Sequence, residues 1–175
     1  MSVWYNALHR IYRIYRGNEL KKRQTVKASG MVDISAKAVT RRVARASARI
    51  LLGQKTFRAL MNGGSPKGDV FETAKIAGIM AAKSTPSIIP MCHLLELSQV
   101  KIAFEPREKD TSIVVTSEVV CRGRTGVEME ALAAVAAAAL TIYDMMKWAG
   151  HAMVISDIQL LHKSGGKSGT FNRDK

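Results

Sequence analysis

Between Glu130 and Asp144 the chain carries no charged side chain, and the stretch is mostly alanine. Thr125 followed three residues later by Glu128 predicts a capping box, with Glu128 as the capping carboxylate of a helix that starts there. A helix that is apolar nearly all round belongs in the interior of a protein of this size. At about 100° per residue, Glu130, Ala134, Ala137, Thr141 and Asp144 share one stripe. Small residues with an acid at each end form a wall that a polar ligand can approach. Lys147 lies three residues beyond Asp144, close enough to share its surroundings. Glu130, Asp144 and Lys147 have no structural role in this pattern, which makes them candidates for acid–base chemistry.

The uncharged run from Ala131 to Tyr143 is 13 residues long. A bilayer span takes about 20 apolar residues, so no membrane helix is predicted. Cys92 and Cys121 are the only cysteines, too few for a disulfide scaffold, and a reducing, cytoplasmic setting is the default. His9, His93, His151 and His162 show no metal-ligand spacing with them, which argues against a protein zinc site.

The net charge of +13 divides into +6 on residues 1–30 and +7 on the rest. A basic body suits an anionic ligand, and nucleic acid or a polyphosphate would both serve. Trp4, Tyr5, Tyr12 and Tyr15 are interleaved with arginines in the first segment, without the apolar core of a secretory signal. The reading is a flexible basic N-terminal extension over 1–30 and one domain over 31–175. A transit peptide is the alternative for 1–30, and would place the protein in the mitochondrial matrix.

Basic and small residues alternate over Val39 to Ile50 as in a strand, though alanine and arginine also suit a helix. A short helix over Gln54 to Met61 stops at Asn62-Gly63-Gly64. Asp69 and Glu72 form a second capping box, opening a helix to Lys83 that Pro86 keeps from running on. Pro86 to Leu97 is a proline-bracketed apolar loop or short helix. Val100 to Glu105 and Ser112 to Arg122 form a hairpin around the polar turn 106–110. The alanine helix follows to about Trp148, then a strand over Met153 to Leu161 interrupted by Asp157, then a flexible glycine-serine loop over 163–169. The order is β-α-β-β-α-β: an α+β, ferredoxin-like fold with an antiparallel sheet and helices packed on one face.

Gly166-Lys167-Ser168 looks like the close of a phosphate-binding P-loop, but Leu161 stands where that motif needs glycine and no helix can follow. What remains is a mobile segment whose Lys163 and Lys167 fold over phosphates, or a solvated basic tail. Lys67, between Pro66 and Gly68 before a helix, is either an anion ligand or a surface lysine. Cys92 and His93 sit in a loop too apolar to be exposed at random, and a histidine there is either a hydrogen-bonded core residue or a functional one.

Seven segments in order, Met31-Val-Asp-Ile-Ser-Ala-Lys37, Pro66-Lys-Gly-Asp-Val70, Ala77-Gly-Ile-Met-Ala-Ala-Lys83, Ile89-Pro-Met-Cys-His93, Thr125-Gly-Val-Glu-Met-Glu-Ala131, Thr141-Ile-Tyr-Asp-Met145 and Lys163-Ser-Gly-Gly-Lys-Ser-Gly169, closely resemble the cyclic pyranopterin monophosphate synthase family, the molybdenum cofactor biosynthesis protein C family. The resemblance covers about residues 31–170. It implies a ferredoxin-like fold, a homohexamer built as a trimer of dimers, and active sites at subunit interfaces. The implied reaction rearranges a cyclic dihydro-GTP triphosphate into cyclic pyranopterin monophosphate and releases diphosphate, with no metal and no cofactor. By motif, Asp144 matches the catalytic acid–base aspartate, and Lys67 and Lys147 match catalytic lysines. Met91, Cys92 and His93, with Glu128, Met129 and Glu130, match substrate-binding segments. Lys163 and Lys167 match lysines near the triphosphate. The family usually has proline after the Cys-His pair; Leu94 stands there in this chain and removes a restraint on the backbone of His93.

Two readings of other classes compete. A ferredoxin-like basic module also suits RNA, but such modules stack bases on strand aromatics, and Phe104 is the only aromatic in the expected strands. A catalytically idle interaction subunit is the other, and the presence of Asp144, Lys67 and Lys147 argues against it.

Overall fold

The computed structural model describes residues 30–173. The expectations about the N-terminal extension lie outside the described residues. From Thr40 onward the elements are β1 (Thr40–Leu51), α1 (Gln54–Met61), α2 (Val70–Lys83), the single turn α3 (Thr85–Ile88), β2 (Leu97–Arg107), β3 (Ser112–Gly123), α4 (Glu128–Met146), β4 (Val154–Gly166) and β5 (Gly169–Asn172). The strands form one sheet in the order β2-β3-β1-β4-β5, antiparallel at every pairing. The first four strands give the ferredoxin-like arrangement that the sequence predicts. The fifth is an addition at the edge.

Alternation in β1 places Ala44, Ala46, Ala48 and Ile50 on the covered face, all fully buried. Opposite them on β3 stand Val119, Ser117, Val115 and Ile113, also buried. The buried side of α4 includes Ala131, Val135, Ala138, Ile142 and Met146. Ser117 donates to the carbonyl of Ala131 at 2.8 Å, which satisfies the buried hydroxyl under the helix.

The alanines of α4 serve close packing. Gly78 of α2 lies so near that an added Cβ would stand 2.8 Å from the carbonyl oxygen of Ala134 and 3.4 Å from the Cβ of Ala138. A mid-helix glycine costs about 1 kcal/mol against alanine. At this crossing a larger side chain would force the helices apart. The stripe through Ala134 is therefore a packing surface for α2, not a wall facing a ligand. By length and composition α4 could cross a membrane, contrary to the estimate from its uncharged run. Its burial between α2 and the sheet makes it the core helix of this domain.

Three local expectations change. No side chain caps α4: Val127 precedes it, and the Glu128 carboxylate turns to Lys163 instead of to the backbone of Thr125. The second capping box forms by half. Asp69 accepts from the Glu72 N–H at 2.9 Å, while Glu72 itself pairs with Lys75. The segment 163–169 is a β-hairpin, not a flexible loop. Lys163 stands opposite Ala44 on β1 and Phe171 on β5. Ladder pairing overrides a glycine-serine composition that disfavours strands. Phe171 accordingly joins Phe104 as a strand aromatic. Asp157, with φ 53°, occupies one of the register shifts between β1 and β4, so the residue that interrupts the apolar run is a bulge residue.

Candidate active site

Ser65-Pro66-Lys67-Gly68 is a β-turn between α1 and α2. The Gly68 N–H donates to the Ser65 carbonyl at 3.1 Å, proline holds the second position, and Gly68 takes φ 103°. The turn delivers Lys67 to the C-terminal end of α4. There Lys67 Nζ lies 2.5 Å from Asp144 Oδ2, and Lys147 Nζ lies 2.8 Å from Asp144 Oδ1. Each carboxylate oxygen holds one ammonium. Bonds from Lys147 and then Lys67 draw the Asp144 carboxyl down to about 2, and Asp144 in turn raises Lys147. Half of each side chain is open to solvent, so the cluster can meet a ligand. Two cations at a helix C-terminus also suit its dipole.

A second polar region lies at the other end of α4. A cleft of about 710 Å³ is lined by Lys37, Arg42, Arg124, Lys163 and Lys167, with Glu128 as its acid. Lys163 Nζ meets Glu128 Oε1 at 3.1 Å. The guanidinium of Arg42 donates to the carbonyls of Gly123 and Arg124 at 3.3 Å each. Arg124 donates to the carbonyls of Ser35 and Lys37 at 2.5 Å each. These bonds bring Lys37 to the rim. The β4–β5 hairpin closes over the cleft because residue 165 is glycine, whereas a side chain at residue 166 would have to displace only the tip of Arg42. A Cβ at Gly165 would stand 1.8 Å from the Arg41 carbonyl, and one at Gly166 2.3 Å from Arg42 Nη1.

The substrate-segment residues lie around the same end. Glu130 is 3% exposed, and burial pushes its carboxyl up, with the Glu128 charge adding to the effect. Burial also raises the thiols of Cys121 and Cys92, and the Glu130 charge raises both further. They are protonated thiols, not activated nucleophiles. His93 Nε2 donates to the Val32 carbonyl at 2.8 Å, a restraint that acts although Leu94 replaces the usual proline. Met91 and Met129 are exposed. Among the described residues no group of three His, Cys, Asp or Glu side chains is placed to hold a metal ion.

The structure thus brings together Lys67, Asp144 and Lys147, and separately Glu128, Lys163 and Lys167. It does not unite the two sets within one chain. Glu130 and Asp144, read as ends of one wall, are 14 helical positions apart, about 21 Å along the axis. The sequence reading missed Arg42, Arg124 and any role for Lys37. Arg42 had a signal as one of the unexplained arginines of the β1 alternation, and Lys37 as the end of the first segment that resembles the family.

A small antiparallel α+β domain with a basic cleft and a Lys–Asp–Lys cluster is the build of an enzyme for an anionic small molecule. Residues 31–166 match the family model described as the MoaC family, and the chain belongs to that family. It is 51% identical over 147 residues to a cyclic pyranopterin monophosphate synthase of Magnetococcus marinus, covering 84% of this chain and 90% of that protein. A synthase of the same name from Methylobacterium sp. is 51% identical over 147 residues, covering 84% and 92%. One from Chloroflexus aurantiacus is 46% identical over 158 residues, covering 90% and 97%.

Proposed function

We propose that this chain is a cyclic pyranopterin monophosphate synthase, the lyase of molybdenum cofactor biosynthesis that converts 3',8-cyclo-7,8-dihydroguanosine triphosphate to cyclic pyranopterin monophosphate and diphosphate. The observation that carries this is the Lys67–Asp144–Lys147 cluster in a chain about half identical to synthases of that name. Expelling diphosphate leaves negative charge on the departing oxygens, and preset ammonium groups stabilise such charge as it develops. Asp144, a carboxylate at any physiological pH, holds both ammoniums in place and becomes the proton acceptor once the substrate draws a lysine away from it. Lys67 and Lys147 are the donors.

The basic cleft supports a triphosphate site, since several fixed cations can each make a charge-assisted bond to phosphate oxygens. Lys163 and Lys167 contribute from the hairpin, and Glu128 orients Lys163. Met91, Cys92, His93, Met129 and Glu130 are the groups for the rest of the substrate. Because the cleft and the cluster lie at opposite ends of a 19-residue helix, about 28 Å long, a complete site draws on two chains. A homohexamer built as a trimer of dimers, with the cleft of one chain facing the cluster of its neighbour, satisfies that requirement.

The test is direct. The purified full-length protein, incubated with the cyclic dihydro-GTP triphosphate, should release diphosphate and form cyclic pyranopterin monophosphate. A folded, oligomeric preparation that releases none overturns the assignment.

A further inference from the structure

Ser65 makes two bonds at the site that the turn itself does not need. Its Oγ accepts from the Lys67 N–H at 3.1 Å and donates to the Met145 carbonyl at 3.0 Å. A hydroxyl can do both at once. The second bond matters because a helix leaves its last carbonyls without continuing partners. At the end of α4, Tyr143 O accepts from the Lys147 N–H at 2.9 Å and Met146 O from the Ala149 N–H at 2.9 Å. The two carbonyls between them are met by the turn: Met145 O by Ser65 Oγ, and Asp144 O by Lys67 Nζ at 3.4 Å. The turn is therefore fastened to α4 at two adjacent carbonyls, one of them through the reactive lysine.

We propose that Ser65 is a positioning residue of the active site, whose hydroxyl anchors the 65–68 turn to α4 and so delivers the Lys67 ammonium to Asp144. This rests on the proposed roles of Lys67 and Asp144. An exposed ion pair is a weak restraint on a long, flexible lysine. Pro66 and Gly68 shape the turn, yet neither ties it to the helix. The Ser65 hydroxyl is the group that does both: it fixes the backbone N–H of Lys67 and grips the carbonyl next to Asp144. Removing it leaves the turn formed and free to lift.

The experiment compares full-length Ser65→Ala, Ser65→Cys and Ser65→Thr with the parent and with Lys67→Ala. Carbon-detected NMR follows the Asp144 carboxyl titration without substrate, where Lys67 and Lys147 are the charges facing it. In Ser65→Ala the midpoint should rise from about 2 toward that of Lys67→Ala, and in Ser65→Thr it should stay low. Ser65→Cys keeps the size with a poor donor and should behave like alanine, which covers the case that Ser65→Ala fails to fold. In the turnover assay, kcat should fall about 10- to 100-fold in Ser65→Ala with KM little changed, and recover in Ser65→Thr. An unchanged Asp144 midpoint in a folded Ser65→Ala or Ser65→Cys overturns the proposal, whatever the activity. If Lys67→Ala turns over at the parent rate, the reading of Lys67 as reactive fails, while the titration still decides whether Ser65 places it.

Discussion

Lys67 and Asp144, 77 positions apart in the chain, meet at 2.5 Å between Nζ and Oδ2. That contact joins a proline-glycine turn to the end of the core helix, and with Lys147 it makes a carboxylate that holds two cations. Asp144→Asn keeps the shape and removes the charge that both lysines face. Turnover should drop about 10²- to 10⁴-fold while the thermal midpoint stays close to that of the parent. Steady-state kinetics beside calorimetry decide this, and turnover within about threefold of the parent would refute the assignment.

The separation of cluster and cleft along α4 makes a prediction about mixtures. Assayed at substrate concentrations well below the parent KM, Lys67→Ala and Lys163→Ala chains should each be nearly inactive alone. Co-refolded together, some interfaces would pair an intact cluster from one chain with an intact cleft from the other, and activity should return in part. No recovery from oligomers verified as mixed would place the whole site within one chain.

Glu130 should show itself in the pH dependence of stability. Burial raises its carboxyl above the ordinary value of 4.5, so the folded state binds a proton that the unfolded state has released. Stability from this group therefore falls as pH rises from 4.5 through the raised value, and stays lower above it. Glu130→Gln should remove that slope and unfold at a higher temperature than the parent at neutral pH. Equal midpoints across the whole range would mean that the carboxylate is well solvated or paired. Asp144 carries the opposite sign. Its contribution, small because the ion pairs are exposed to solvent, is complete above 3.8 and disappears as pH falls through about 2.

The hairpin lysines should act on affinity. Lys163→Ala and Lys167→Ala are expected to weaken binding of a triphosphate analogue, with a shallower salt dependence than the parent because fewer cations take part. Since Lys163 lies in a paired strand, amides of 162–164 should already be protected from exchange without ligand. Fast exchange there in the free protein would restore the picture of a loose tail. Titration calorimetry at two salt concentrations supplies the affinities.

Residues 1–30 precede the span matched by the family, and we propose that the domain folds without them. A chain beginning at Met31 should keep its thermal midpoint and its oligomeric state. A fall of more than a few degrees, or a smaller particle by light scattering, would assign residues 1–30 a part in the fold or assembly.

Local signals in the sequence determined most of the architecture. Alternation marked β1, with a helix as competitor, and the β2–β3 hairpin. An apolar face and a glycine stop marked the 54–61 helix, and cap residues, Pro86 and a charge-free alanine run marked the 70–83 and alanine helices. Local chemistry also marked Asp144 with Lys147 as an unexplained pair but left Lys67 open between an anion ligand and a surface lysine, and only the resemblance joined the three. Tertiary structure decided the rest, because the deciding contacts are long in sequence and short in space. Gly78 against Ala134 turned a supposed ligand wall into a helix crossing. Lys163 drew Glu128 away from a cap that the Thr125–Glu128 spacing had advertised. Pairing with β1 made a strand of a segment whose glycines and serines signal a loop. Spacing can state which side chains share a face of one element. It does not state which distant backbone will satisfy an open carbonyl or a ladder edge, and that competition is settled only when the whole core closes.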